Sequence, residues 1–175
     1  AGVPSDFPGK LSETGLFSDT QRLMAAPGVY AYDVLTTADH GDTKSEFFVG
    51  VPGQATIQVN RQQRQWKYPA GTVFAKTVYV GRDGQSSGMG RRIETQILHF
   101  DGVSWQPYSY VWNEDQTDAT LVAKEGRTVA LGQGSDYRIH SRSECRACHR
   151  NQAGGAPHPR ASRFEHCPVS LQTNP

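Results

Sequence analysis

The stretch RIETQILHF, residues 92–100, divides into two faces when it is read as an extended chain. Ile93, Thr95, Ile97 and His99 fall on one side of an extended chain, and Glu94, Gln96, Leu98 and Phe100 on the other. Successive side chains leave a pleated backbone on opposite faces, so a period of two marks a strand. Turn-forming segments bracket it, RDGQSSGMG before and FDGVS after, as hairpins of an antiparallel sheet require.

Working outward, the same kind of run recurs from Gly28 onward, separated by turn residues. Candidate strands are VYAYDV (29–34), EFFVGV (46–51), ATIQV (55–59), TVFAKTVYV (72–80), SWQPYSYVW (104–112), ATLVAK (119–124), RTVAL (127–131) and DYRI (136–139). Before them, LSETGLFSDTQRLMAAPG reads as a short helix or loop that docks onto something larger, with Ser18 as a cap and Pro27-Gly28 as a stop. After them, Ser141 and Glu144 have the S-x-x-E spacing of a capping box, so a helix is expected from about residue 142, ended by Gly154-Gly155. The expected fold is mainly β: an antiparallel sheet domain with a few short helices, and a Cys-rich motif on a short C-terminal helix. The 175 residues are most economically one domain, with 160–175 read as a disordered tail or the end of a fragment.

Eighteen Lys and Arg against seventeen Asp and Glu leave a formal charge of +1, which makes no case for nucleic acid or an anionic membrane surface. No apolar run approaches a membrane span, and the opening AGVPSDFPGK has neither a basic nor an apolar signal region, so no membrane insertion is expected. The hydrophobic share, 36%, is low for a domain that must bury a core, and a large apolar prosthetic group would supply some of what is missing.

The chemistry concentrates in SRSECRACHRN, where Cys145, Cys148 and His149 form C-x-x-C-H, the attachment signature of c-type haem. Residues three apart on a helix are neighbours, so two thiols can reach the two vinyl groups of one porphyrin. His149 follows directly, placed to ligate iron as the proximal imidazole. Two other readings use the same residues. Cys145 and Cys148 with two of His158, His166 and Cys167 have zinc spacing, and a disulfide to Cys167 would leave an odd thiol. The histidine immediately after the second cysteine favours haem.

The segments LSETGLFSD, PGVYAYDV, YPAGTVFAKTVYV, RRIETQILHFDGVSWQPYSYVWNEDQTDATLV and SRSECRACH occur in that order over most of residues 11–149. In them the chain resembles the haem-bearing domain of a family of exported c-type cytochromes of aquatic bacteria, with YVWNEDQTDA the most specific match. Such domains are often parts of larger proteins fused to dehydrogenase-like modules. The resemblance implies one covalently attached haem c, a periplasmic or exported location, and a redox partner protein or fused dehydrogenase domain. The tail RASRFEHCPVSLQTNP departs from the pattern and leaves Cys167 without a family role. A weaker similarity is to the β-sheet-rich cytochromes c′, which also carry C-x-x-C-H after an antiparallel sheet, some with a GTV…K strand like residues 71–76. That similarity implies a haem with an open distal face.

Several residues are candidates for the sixth position on iron. Met89, in the Gly-rich loop GQSSGMGRR, is the distal candidate, against a plain loop methionine. His158 lies in a proline-flanked loop and His166 in the aberrant tail. His40 and His99 read as loop and sheet residues, and His140 is too near the motif to reach the opposite haem face. Lys76 could enter a distal pocket, although an outward strand lysine is the commoner outcome. Glu114, Asp115 and Asp118 miss the spacing of an EF-hand and read as a turn organising local hydrogen bonds, with a place beside a haem propionate as its functional counterpart. Trp112 and Tyr110 read as sheet core rather than pocket wall. Residues 81–90 lack the G-K-[ST] of a phosphate loop, and no hydrolase motif is present. The resulting expectation is a monohaem electron carrier rather than a catalyst, with two alternatives: a gas-binding or catalytic five-coordinate haem protein, or a zinc-stabilised interaction module.

Overall fold

The computed structural model describes residues 7–33, 43–60, 62, 65–81, 90–132, 135–148 and 171–173. The strands are β1 (Phe17–Asp19), β2 (Met24–Ala25), β3 (Val29–Tyr32), β4 (Thr43–Gly50), β5 (Gln58–Asn60), β6 (Gln65–Lys67), β7 (Val73–Val80), β8 (Arg91–Phe100), β9 (Trp105–Trp112), β10 (Ala119–Leu121), β11 (Arg127–Gly132), β12 (Ser135–Ile139) and β13 (Leu171–Thr173). A 3-10 turn covers Leu11–Thr14, and α1 spans Arg142–Cys148. The protein is mainly β, with antiparallel pairing throughout these strands. Where the sequence implied a few short helices, the described residues hold a single α-helix.

The central sheet has the order β10-β9-β8-β7-β4-β3. Its long middle strands are rich in Val, Ile, Thr and aromatics, which suit a pleated surface packed on both sides. On one face Phe48, Ala75, Tyr79, Ile97, Tyr108, Tyr110 and Trp112 meet Leu11, Leu16, Phe17 and Leu23 of the N-terminal segment. That segment is a 3-10 turn and the β1–β2 hairpin, not a helix. Ser18 sits inside β1 and donates to the Met24 carbonyl instead of capping, and Pro27-Gly28 leads into β3. Tyr110 and Trp112 are sheet core, at 0% and 3% exposure. The polar atoms there are satisfied: Thr77 Oγ1 and Thr95 Oγ1 lie 2.8 Å apart, and Trp112 Nε1 donates to Thr95 Oγ1 at 2.9 Å.

The opposite face carries two groups. Val78, Ile93 and Val122 pack with Tyr137 and Ile139 of β12. Further along, Tyr32, Phe47, Tyr68, Phe74, Phe100 and Trp105 form a continuous aromatic layer with centroid spacings from 5.0 to 6.1 Å. Burial pushes the Tyr68 hydroxyl up to about 12.

The alternation of β8 is broken at one point. Val78 faces Glu94 and Tyr79 faces Arg92, which leaves Ile93 as an extra residue. This bulge turns Ile93 away from Ile97, so the two isoleucines enter different cores, contrary to the shared face that strict alternation implied.

The loop after β9 binds the N-terminal segment. Asn113 takes the backbone N–H groups of Thr117 and Asp118 at 2.9 and 3.4 Å, and Gln116 occupies the left-handed region at φ 59°. The Asp118 carboxylate accepts from the Ser12 N–H at 3.1 Å and the Ser12 hydroxyl at 2.7 Å. The expected hydrogen-bonding turn is therefore present, and it also straps the Leu11–Thr14 turn to the sheet.

Candidate functional site

The C-terminal helix begins where its capping box implied. The Glu144 carboxylate accepts from the Ser141 N–H at 2.9 Å and hydroxyl at 2.8 Å, while Ser141 Oγ accepts the Glu144 N–H at 3.3 Å. Arg138 of β12 adds an ion pair to Glu144 at 2.5 Å, and His140 Nδ1 stands 3.7 Å from the same carboxylate. The Ser141 backbone N–H, then its hydroxyl and Arg138, pull the Glu144 carboxyl from 4.5 down to about 2. The start of α1 is thus tied to β12.

The rest of α1 lies along β9. Strand β10 pairs only with Tyr110, Val111 and Trp112, so the part of β9 from Trp105 to Tyr108 has no strand on that side among the described residues. α1 occupies the vacancy, as a helix often does at an exposed sheet edge. The Arg142 N–H donates to the Lys124 carbonyl at 2.9 Å, and its guanidinium lies over the Tyr108 ring, 4.6 Å from the centroid. Arg146 Nη2 donates to Gln106 Oε1. The Gln106 amide is itself oriented by Asp101 Oδ2 at 2.9 Å and Ser104 Oγ at 2.8 Å. Asp101 is held below the usual carboxylate range, chiefly by the Ser104 N–H, then by the Gln106 amide and the Val103 N–H. Sequence reasoning missed these seating residues, because a lone arginine or glutamine carries no signal until the edge it meets is known.

Cys145 is buried at 7% exposure. It borders a cavity of ≈ 10 Å³ lined by Pro107, Tyr108, Ser109, Val122, Ala123, His140 and Arg142. Cys148 is the last residue of α1, one helical turn further on. The proximal candidate His149, the distal candidate Met89, and His40, His158, His166 and Cys167 lie outside the described residues, as does Gly154-Gly155. Among the described residues no three His, Cys, Asp or Glu side chains gather to hold a metal ion.

One further side chain departs from expectation. Lys76 is not outward but buried at 7% exposure, its ammonium 5.8 Å from the Phe47 centroid. It stands opposite Gln96 on β8, and Gln96 opposite Ser109 on β9, so a polar row crosses the sheet and ends at the cavity beside Cys145. Glu94, at 2% exposure, accepts from the Tyr137 hydroxyl at 2.7 Å and the Gln96 amide at 3.1 Å through the same oxygen. His99 is a sheet residue, edge-on to Phe7 at 5.0 Å.

Tested against haem, the site fits in part. The spacing of Cys145 and Cys148 on one capped helix suits a two-point attachment. The cavity beside Cys145 does not accommodate a porphyrin, since pockets for ligands of that class run to roughly 300–1,000 Å³. Comparison of the chain with protein-family models, curated proteins and solved structures gives no match. No helix among the described residues is long and apolar enough to cross a membrane.

Proposed function

We propose that this chain is a monohaem c-type cytochrome domain that relays single electrons. Cys145 and Cys148 would hold haem c by thioether bonds, and His149 would be the proximal iron ligand. The observation that carries this reading is C-x-x-C-H with both cysteines on one short helix whose start is fixed by Ser141, Glu144 and Arg138. When bound, the ring supplies a one-electron iron couple. The chain's own part is to orient α1, which carries both cysteines. A periplasmic or exported location and a redox partner protein, or a fused dehydrogenase domain, belong to the same reading.

The test is an absorption spectrum of protein matured in an export-competent host, ferric and ferrous, with and without carbon monoxide. A sharp low-spin ferrous spectrum indifferent to the gas supports an electron carrier with two strong axial ligands. A high-spin spectrum that shifts with carbon monoxide replaces it with an open-faced haem protein. A colourless protein containing stoichiometric zinc overturns the haem reading. Cys145→Ala/Cys148→Ala should leave no thioether, so any pigment becomes extractable by acidified acetone. Full retention of pigment by that double variant would refute the assignment of the two thioethers.

A further inference from the structure

We propose that the seam between α1 and β9 binds one ordered water, held by Arg142 Nε and the Ser109 hydroxyl. The inference goes beyond the haem reading and uses neither cysteine.

The first observation is a donor left without an acceptor. Arg142 Nε is buried and has no hydrogen-bond partner among the described residues. Other parts of the residue are already committed. Its backbone N–H donates to the Lys124 carbonyl at 2.9 Å, and its guanidinium carbon stands 4.6 Å from the Tyr108 centroid. Buried N–H groups in folded proteins are almost all paired, with protein or with ordered water.

The second observation is the space beside this residue. Arg142 lines a cavity of ≈ 10 Å³ together with Ser109 and His140. That is about the room one water needs, so a larger ligand does not enter. An apolar void would stay dry, but three polar side chains border this one, and a buried water takes about two to four such partners. The water accepts the Arg142 Nε–H and has two hydrogens of its own to donate, one of them toward Ser109 Oγ.

The third observation is what Ser109 joins. It is 9% exposed and stands opposite Gln96, which stands opposite Lys76. A water between Ser109 and Arg142 therefore carries the polar row of the sheet onto α1. It adds a hydrogen-bonded link between Arg142 and β9, beside the ring contact with Tyr108.

A crystal structure of the chain as purified should show an ordered water about 3 Å from both Arg142 Nε and Ser109 Oγ. Two variants remove one partner each. Arg142→Lys keeps the positive charge and the backbone N–H but has no Nε, and Ser109→Ala keeps the room but has no hydroxyl. Each should lower the melting temperature by about 2–4 °C, the worth of one hydrogen bond in a chain of this size. The double variant should lose less than the sum of the two, because both act through one water. An empty site in the wild-type crystal, a protein acceptor on Arg142 Nε, or a halide in place of the water overturns the proposal. Losses from the two single variants that add in full overturn it as well. So does a melting temperature that rises in Arg142→Lys, since only the removal of an unmet donor brings relief. The wild-type crystal decides the question even where a variant fails to fold.

Discussion

Replacing Thr95 by Val should be among the costliest small changes in this protein. The hydroxyl of Thr95, at 0% exposure, meets Thr77 Oγ1 at 2.8 Å and accepts Trp112 Nε1–H at 2.9 Å. Valine has nearly the same shape, so no cavity opens. Two buried partners are orphaned instead, each at a cost of about 1–3 kcal/mol, and the added methyl recovers about 1 kcal/mol of transfer energy. The net expectation is a loss of about 3 kcal/mol. The double variant Thr77→Val/Thr95→Val orphans only the indole N–H, and should be no less stable than Thr95→Val alone. The pair should therefore be non-additive by at least about 1 kcal/mol. Urea unfolding followed by both tryptophan fluorescence and circular dichroism gives the values, with an unchanged m-value showing that the fold is kept. A Thr95→Val loss below about 0.5 kcal/mol, or additive single losses, would refute the claim that this hydroxyl bridges two otherwise unsatisfied groups.

Asp118→Ala removes the carboxylate that accepts two bonds from Ser12, so the Leu11–Thr14 turn should detach from the sheet. A loss of about 2 kcal/mol, or about 4–8 °C in melting temperature, is expected, together with faster amide exchange over residues 9–16. Unaltered exchange in that segment would contradict the strap. Glu144 has its folded-state value pulled below the ordinary one, so its contribution to stability is complete above about pH 4.5 and fades as pH falls toward about 2. Amides of residues 142–145 should lose protection across that interval in the wild type, and Glu144→Gln should abolish the acid step. Gly126→Ala should destabilise by more than about 1 kcal/mol, since Gly126 sits at φ +83° and an added Cβ would lie 2.4 Å from the Ile139 carbonyl oxygen. A melting temperature equal to the wild type would contradict that geometry.

The long strands were legible because their signal is local. In β7, β8 and β9, β-branched and aromatic residues recur between turn signals, and the cap of α1 is written in four adjacent residues. The β1–β2 hairpin was not legible. FSDTQRLMA offers no alternation, and its turn relies on Leu23 at φ 50°, a conformation no leucine advertises. Lys76 misled for a different reason. Alternation says which residues share a face, but it selects the buried face only if the other is wet, and this sheet is covered on both sides. A lysine within such a strand is buried whichever way it points.

The motif and its setting differ in the same way. Cys145, Cys148 and His149 can be read as a haem signature because the chemistry fixes their spacing along the chain. The burial of Cys145 cannot, since it depends on β10 pairing only as far as Tyr110 and on Gln106 being turned toward Arg146 by a hairpin forty residues away in sequence. The length of β10 therefore bears directly on the site. Were β10 to continue alongside Tyr108 to Trp105, its backbone would satisfy the edge that α1 now covers, and the helix would have no seat. A short edge strand thus leaves the place beside β9 where the helix bearing Cys145 rests.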